Sequence, residues 1–274
     1  MQIFDTHSHY NLEPLYSQND SSLWQTAWQE AQAHGLVGSV VVGTDIPTSQ
    51  YAIALANQET AFGAAIGIHP GEYYDVDRSP EKDVDTLTRL DDPKMVAIGE
   101  TGLDYFRFDG MTTNQIEVSQ TKQQQALRLH LQLATHRKLP ALLHVRDKTE
   151  TAYLDVLQIL KEEQFAGEFV LHCVSGPLTY VQEALSRGAY VSVAGNVTYK
   201  TADHIRTLVS TTPPDHLLVE TDAPFLPPVP FRGQPCAPWM ISKTVEFLQT
   251  ELAVDPEQLL KNSYRLFPTL QPRG

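Results

Sequence analysis

At 274 residues, with 42% hydrophobic and 19% charged residues, the chain can bury a large core and suits one α/β barrel as well as two small domains. Its net charge of −13 excludes a broad basic surface that grips duplex nucleic acid, but not an enzyme that holds an end or a single strand through bound divalent ions. No apolar run is long enough to span a membrane, no basic and apolar leader is visible, and Cys173 and Cys236 make no disulfide framework, so a reducing cytoplasm is the expected location.

The stretch Ile3-Phe4-Asp5-Thr6-His7-Ser8-His9 reads as a strand with a β-branched and aromatic start and a polar end. Side chains alternate along a strand, so Asp5, His7 and His9 are expected on one face. Two neutral imidazoles two residues apart can bind one divalent metal; they can equally be surface histidines of a loop. Residues 27–34 look helical and stop at Gly35, and 37–44 is the short apolar, β-branched run of a buried parallel strand. A helix is expected over 50–59, a third strand over 62–70 carrying His69, a helix over 84–90, and a fourth strand over 95–102 ending with Glu100. Residues 105–119 read as a longer loop, and 121–137 as the clearest helix, stopping before Pro140. A fifth strand, 141–146, carries His144 and Arg146, and a helix follows over 148–163. The sixth strand, 169–173, ends in His172 and Cys173. A helix near 180–186, a strand at 189–193, a helix near 202–210 and a strand at 217–222 ending in Asp222 continue the alternation. A proline-rich loop over 224–238 and helices over 240–252 and 256–267 close the chain.

Strand and helix thus repeat about eight times, over roughly the length that a (β/α)8 TIM barrel needs. No linker, charge run or low-complexity segment splits residues 1–274, so one domain is expected. A doubly wound open sheet is the competing architecture; no Gly-x-Gly-x-x-Gly follows the first strand, which speaks against dinucleotide binding. In a parallel barrel the C-terminal strand ends converge on one face, so His7, His9, Glu100, His144, His172 and Asp222 would meet there. Taken singly, each has an ordinary reading: a core histidine, a helix cap, a turn before Pro224. Taken together they point to metal, because a buried cluster of carboxylates and imidazoles is costly unless paired or holding an ion. Alternation turns Cys173 away from this cluster, as a small buried hydrophobe. Cys236 is expected to be exposed in its loop.

Six blocks resemble the signature of the TatD family of metal-dependent hydrolases, within the amidohydrolase superfamily, many of them deoxyribonucleases. They are Phe4-Asp5-Thr6-His7-Ser8-His9, Gly67-Ile68-His69-Pro70, Gly99-Glu100-Thr101-Gly102-Leu103-Asp104, His144-Val145-Arg146, His172-Cys173-Val174-Ser175-Gly176 and Glu220-Thr221-Asp222-Ala223-Pro224-Phe225-Leu226. They run in the family's order over nearly the whole chain, and Lys261-Asn262-Ser263-Tyr264-Arg265-Leu266-Phe267 looks like its final helix. The resemblance implies a barrel with one or two divalent ions. His7 and His9 would hold the first, His144 and His172 the second, with Glu100 bridging and Asp222 touching the first ion and the nucleophilic water. Two departures stand out. The loop after strand eight reads Phe231-Arg232-Gly233-Gln234-Pro235-Cys236-Ala237-Pro238 where the family has an Arg-Asn-Glu-Pro-like segment, and the long helix has Leu127 and His130 where a Phe and a Gln are usual.

Such a centre hydrolyses. Bound ions lower the pKa of water from 15.7 towards about 7 and neutralise charge on the group attacked. Asp222 is placed to orient that water and take its proton, then return it to the leaving oxygen. His69 and Arg146 are expected to contact substrate, a guanidinium being suited to phosphate. The structural alternatives are a loop histidine ordered by Pro70, and an ion pair from Arg146 to Asp5 or Glu220. Tyr105, Phe106, Phe225 and Trp239 can stack a base or pack under loops. The expected activity is a deoxyribonuclease acting on single-stranded DNA ends, with the 3′ direction implied by the family. The same centre can attack a carbonyl, so a D-aminoacyl-tRNA deacylase or small amidase is the alternative, and a metal-stabilised scaffold a third. Ligand type favours Zn, Mn, Fe or Co, while family nucleases often use Mg or Mn.

Overall fold

The computed structural model describes residues 1–17, 20 and 22–272. Eight strands form one sheet in chain order: β1 (Ile3–Ser8), β2 (Leu36–Val42), β3 (Phe62–Ile66), β4 (Met95–Asp104), β5 (Ala141–Arg146), β6 (Phe169–Leu171), β7 (Ala189–Val193) and β8 (Leu217–Val219). Every pairing between them is parallel. Helices α1 (Leu23–Ala33), α2 (Ile46–Gln58), α3 (Pro80–Thr88), α4 (Thr113–Arg137), α5 (Thr151–Glu162), α6 (Leu178–Ser186) and α7 (Asp203–Thr211) alternate with the strands, and α8 (Ile241–Leu252) and α9 (Pro256–Leu266) follow β8. This is the (β/α)8 TIM barrel expected from the pattern.

The strands are apolar on both faces because each is covered twice, as a parallel sheet requires. One set of residues, including Phe4, Val42, Ala65, Leu142, Val170 and Leu218, forms a cluster closed by Leu266 and Phe267 at the end of α9. The other set, including Ile3, Val41, Ile66 and Leu143, packs against helix residues such as Trp24, Trp28 and Leu55. Between β8 and β1 closure is made past the end of β8: Asp222 donates its backbone N–H to His7 O at 2.9 Å, and His9 donates to Ala223 O at 2.8 Å. The hydroxyl of Thr6 adds a bond to Val219 O at 3.0 Å. The seam of the barrel therefore lies where the site residues of β1 and of the segment after β8 meet.

Several element ends differ from expectation, each for a local reason. The loop expected over 105–119 shrinks to eight residues, because Thr112 and Gln115 form a capping box that starts α4 at Thr113. A second box, Asp45 with Thr48, starts α2 at Ile46 rather than at residue 50. α1 likewise begins at Leu23, not 27. β3 ends at Ile66, and His69 instead caps a 3-10 turn, Pro70–Tyr74. β6 and β8 stop at Leu171 and Val219, so His172 and Asp222 lie just past their strands, whereas β4 runs on beyond Glu100 to Asp104.

Candidate metal centre

Six ligand-type residues expected from the sequence converge at the C-terminal mouth of the barrel. His7 and His9 bring their Nε2 atoms to 3.3 Å of one another. Glu100 stands between two groups of imidazoles. Its Oε2 faces His7 Nε2 at 3.5 Å and His9 Nε2 at 3.8 Å, and its Oε1 faces His144 Nδ1 at 2.7 Å and His172 Nε2 at 3.6 Å. Asp222 Oδ1 lies 3.3 Å from His9 Nε2 and 3.8 Å from both His7 Nε2 and His172 Nε2. Two ligand sets, His7–His9–Asp222 and Glu100–His144–His172, thus each place their donor atoms within 4.8 Å of one another.

The backbone explains the convergence. Register slips between Asp5 and Ser8, so strict alternation fails there. Asp5 consequently turns to Thr221, accepting its N–H at 2.9 Å and its hydroxyl at 2.6 Å, and takes no part in the ligand sets. Gly102 has φ +145°, and a Cβ there would sit 1.9 Å from the carbonyl oxygen of His144. Only glycine lets β4 approach β5 so closely, and that approach brings Glu100 against His144. Asp222 and Cys173 both adopt left-handed backbone, φ +57° and +44°, in the turns that leave β8 and β6.

Within the cluster the side chains balance one another's charge. Burial disfavours ionised Glu100, yet His69, His144 and His172 outweigh it and hold the carboxyl well below its usual range. For Asp222 burial is likewise overcome, by His172, His9 and His7, so it stays ionised. His172 is buried too, but Glu220, Asp222 and Glu100 raise it to about 10. Burial of His9 is outweighed by Asp222 and Glu100, which raise it. Asp5, by contrast, is pushed up to about 7 by burial, despite its bonds from Thr221 and His7.

The residues fit divalent ions. His9 Nδ1 faces the Val42 carbonyl at 2.9 Å, and a carbonyl can only accept, so Nδ1 carries the proton and a neutral ring turns its Nε2 lone pair inward. Buried His144 Nε2 and His7 Nδ1 lack hydrogen-bond partners, although His144 Nε2 lies 3.5 Å from Asp104 Oδ2. Four imidazoles with two ionised carboxylates make a nitrogen and oxygen donor set of the kind that binds Zn, Mn, Fe or Co.

Around the cluster, His69 Nε2 lies 3.6 Å from Glu100 Oε1. Its Nδ1 accepts the Gly71 N–H at 2.9 Å, so neutral His69 presents an N–H, not a lone pair, to the site. Among the described residues Arg146 forms no ion pair with Asp5 or Glu220; its guanidinium lies 4.1 Å over the Phe106 ring. Phe225 is 51% exposed, with its ring 6.0 Å from that of His9. Tyr105 is buried and bonded to Asp155 and Gln124, and Trp239 packs on Phe231 and His34, so both are packing residues.

Four features fall outside the sequence reading. Asp104 lies beside His144 and His69; it follows Glu100 by four residues, so alternation could have placed it. Glu220 lies behind His172, a relation that only the folded neighbours reveal. Cys173 is partly exposed and accepts from Asn196 Nδ2 at 3.5 Å, because its left-handed backbone breaks the alternation expected of it. Cys236 is buried against Leu15, Ala223 and Met240, not exposed. His130, one of the two helix departures, is structural: it accepts the Ile68 N–H at 3.1 Å while its Nδ1–H bonds Ala126 O at 2.7 Å.

A (β/α)8 barrel with such clusters at its C-terminal mouth is the architecture of a metal-dependent hydrolase. A family model described as TatD related DNase matches residues 4–270, and the chain belongs to that family. YabD of Bacillus subtilis strain 168, named an uncharacterized metal-dependent hydrolase, is 35% identical over 97% of this chain and 98% of its own length. YcfH of Escherichia coli K12, named likewise, is 31% identical over 97% of this chain and 96% of its own. The crystal structure of YjjV, a TatD homolog from Escherichia coli K12, superposes with a TM-score of 0.82 at 28% identity, covering 97% of this chain and 98% of that one. Among the described residues no helix is long and apolar enough to cross a membrane.

Proposed function

We propose that this hydrolase is a deoxyribonuclease that cleaves phosphodiester bonds at single-stranded DNA ends, from the 3′ terminus, using two divalent ions. The carrying observation is Glu100, whose two oxygens face two separate imidazole sets. In this reading His7, His9 and Asp222 hold one ion and His144 and His172 the other, with Glu100 shared between them. The ions would supply an activated water and neutralise charge at the phosphate. Asp222 takes the proton from the attacking water: it is held ionised, and its side chain is 13% exposed where that of Glu100 is 4%. It then returns the proton to the leaving oxygen. Arg146, held flat by Phe106, offers a fork of N–H donors to a phosphate, and His69 adds its Nε2–H. Phe225 offers its exposed face to the terminal base.

The test is cleavage of single-stranded DNA labelled at either end, with Mg, Mn or Zn, with chelator, and with Asp222→Asn. Metal-dependent shortening from the 3′ end, absent in the variant, is expected. No cleavage by folded, metal-loaded protein would transfer the reading to an acyl substrate, with release of amino acid from charged tRNA as the next assay.

A further inference from the structure

His7 and His172 come from opposite sides of the cluster in sequence, yet their rings stack at 3.6 Å between centres, 18° from parallel. In the two-ion reading, on which this inference rests, they serve different ions. One carboxylate, that of fully buried Glu220, lies against His172 and brings an oxygen within 4.8 Å of a His7 nitrogen. Its Oε1 takes the Cys173 backbone N–H at 2.7 Å and lies 2.8 Å from His172 Nδ1, but off the axis of that ring N–H. Its Oε2 is buried without a partner, and so is His7 Nδ1. His7, His172 and Glu220 each bring one nitrogen or oxygen within 4.8 Å of the other two. An imidazole N–H and a carboxylate oxygen left orphaned in one buried group are costly apart and complementary together.

We propose that Glu220 is a positioning residue shared by both ion sites, its two oxygens taking the Nδ1–H of His172 and the Nδ1–H of His7. Both rings are thereby fixed in the tautomer that turns Nε2 inward. A carboxylate behind a ligand histidine orients the ring and raises its basicity, and its loss costs about 10–100-fold in metal affinity. Because one carboxylate serves two rings, its removal weakens both sites together. Glu220→Gln conserves volume but leaves one acceptor oxygen and puts an amide N–H against the other ring.

The experiment titrates Co²⁺ into metal-free wild type and Glu220→Gln, following the visible absorption of bound cobalt, alongside thermal melts of both metal-free proteins. Two equivalents in wild type, both weakened about 10–100-fold in the variant, are expected. Weakening of one equivalent alone would assign Glu220 to His172 and overturn sharing. Unchanged affinities with a lowered melting temperature would make the residue merely structural. Fewer than two equivalents in wild type would remove the two-ion reading itself, a failure visible before any variant is made. Should the variant not fold, nitrogen-15 spectra of zinc-loaded wild type decide: His7 must carry its proton on Nδ1, and a proton on Nε2 refutes the pairing.

Discussion

Asp222 sits at φ +57°, a left-handed backbone that costs an ordinary residue roughly 1–2 kcal/mol. Bonds on either side hold it there: its N–H to His7 O, its carbonyl to the Phe225 N–H, and the grip of Asp5 on Thr221. Asparagine tolerates left-handed backbone as well as aspartate does, so Asp222→Asn tests proton transfer rather than folding. Turnover is expected to fall about 10²–10⁴-fold with the melting temperature nearly unchanged. A variant that turns over at the wild-type rate removes Asp222 as the base. At this scale six ligand-type residues were legible, because the C-terminal end of a barrel strand is a place in space as well as in sequence. Asp5 and Glu220 were not, since what they touch is distant in sequence, Thr221 for Asp5 and His172 with Cys173 for Glu220. Cys173, expected to be buried, is partly exposed: its left-handed backbone leaves the extended conformation that alternation assumes.

Helix α4 bonds the barrel's backbone through Gln123, at Asp104, and through His130. His130 is fully buried and accepts from Ile68, next to His69, and burial lowers it to about 4 from 6.5. The folded protein therefore resists a proton that the unfolded chain accepts. Stability from this site is whole above pH 6.5 and falls as pH drops from 6.5 towards about 4, by up to about 3 kcal/mol. His130→Gln keeps an acceptor for Ile68 and a donor for Ala126, so the gap between urea midpoints at pH 5 and pH 8 should narrow; an unchanged gap would mean the acid loss arises elsewhere. On β4, Gly102→Ala would drive a methyl into the His144 carbonyl. The expected cost is about 4 kcal/mol or more, read by denaturant unfolding, and a loss under about 0.5 kcal/mol would show that β4 can move away from β5. Strands were the readable elements, since runs buried on both faces are nearly continuous in apolar residues. Helix starts were less so. The boxes at Asp45 and Thr112 stand in the sequence, but their polar residues look like loop until the side chains close on the backbone.

Across the whole molecule, alternation of strand and helix carried the barrel, while its seam at β8 and β1 depended on contacts more than two hundred residues apart, such as Thr6 with Val219 at a separation of 213 and Thr221 with Asp5 at 216. An ion held by His7, His9 and Asp222 at that seam would tie the ends of the barrel together, and any bound ion would favour the folded state. Each ion at a hundredfold excess over its Kd adds about 2.7 kcal/mol. For a protein of this size that raises the melting temperature by roughly 5 °C per ion. Scanning calorimetry with chelator, and then with added Mn or Zn, measures it; identical curves would place the ions outside the fold's energetics.

The seam has a consequence for synthesis. On a growing chain His7 and His9 are made before Asp222, the last of the six ligand-type residues in sequence order, and β1 lacks its closing bonds to Asp222 and Ala223 until the segment after β8 arrives. Any product truncated before that point lacks both Asp222 and the closing bonds. Assembly of the six-residue cluster therefore waits on synthesis through the segment after β8.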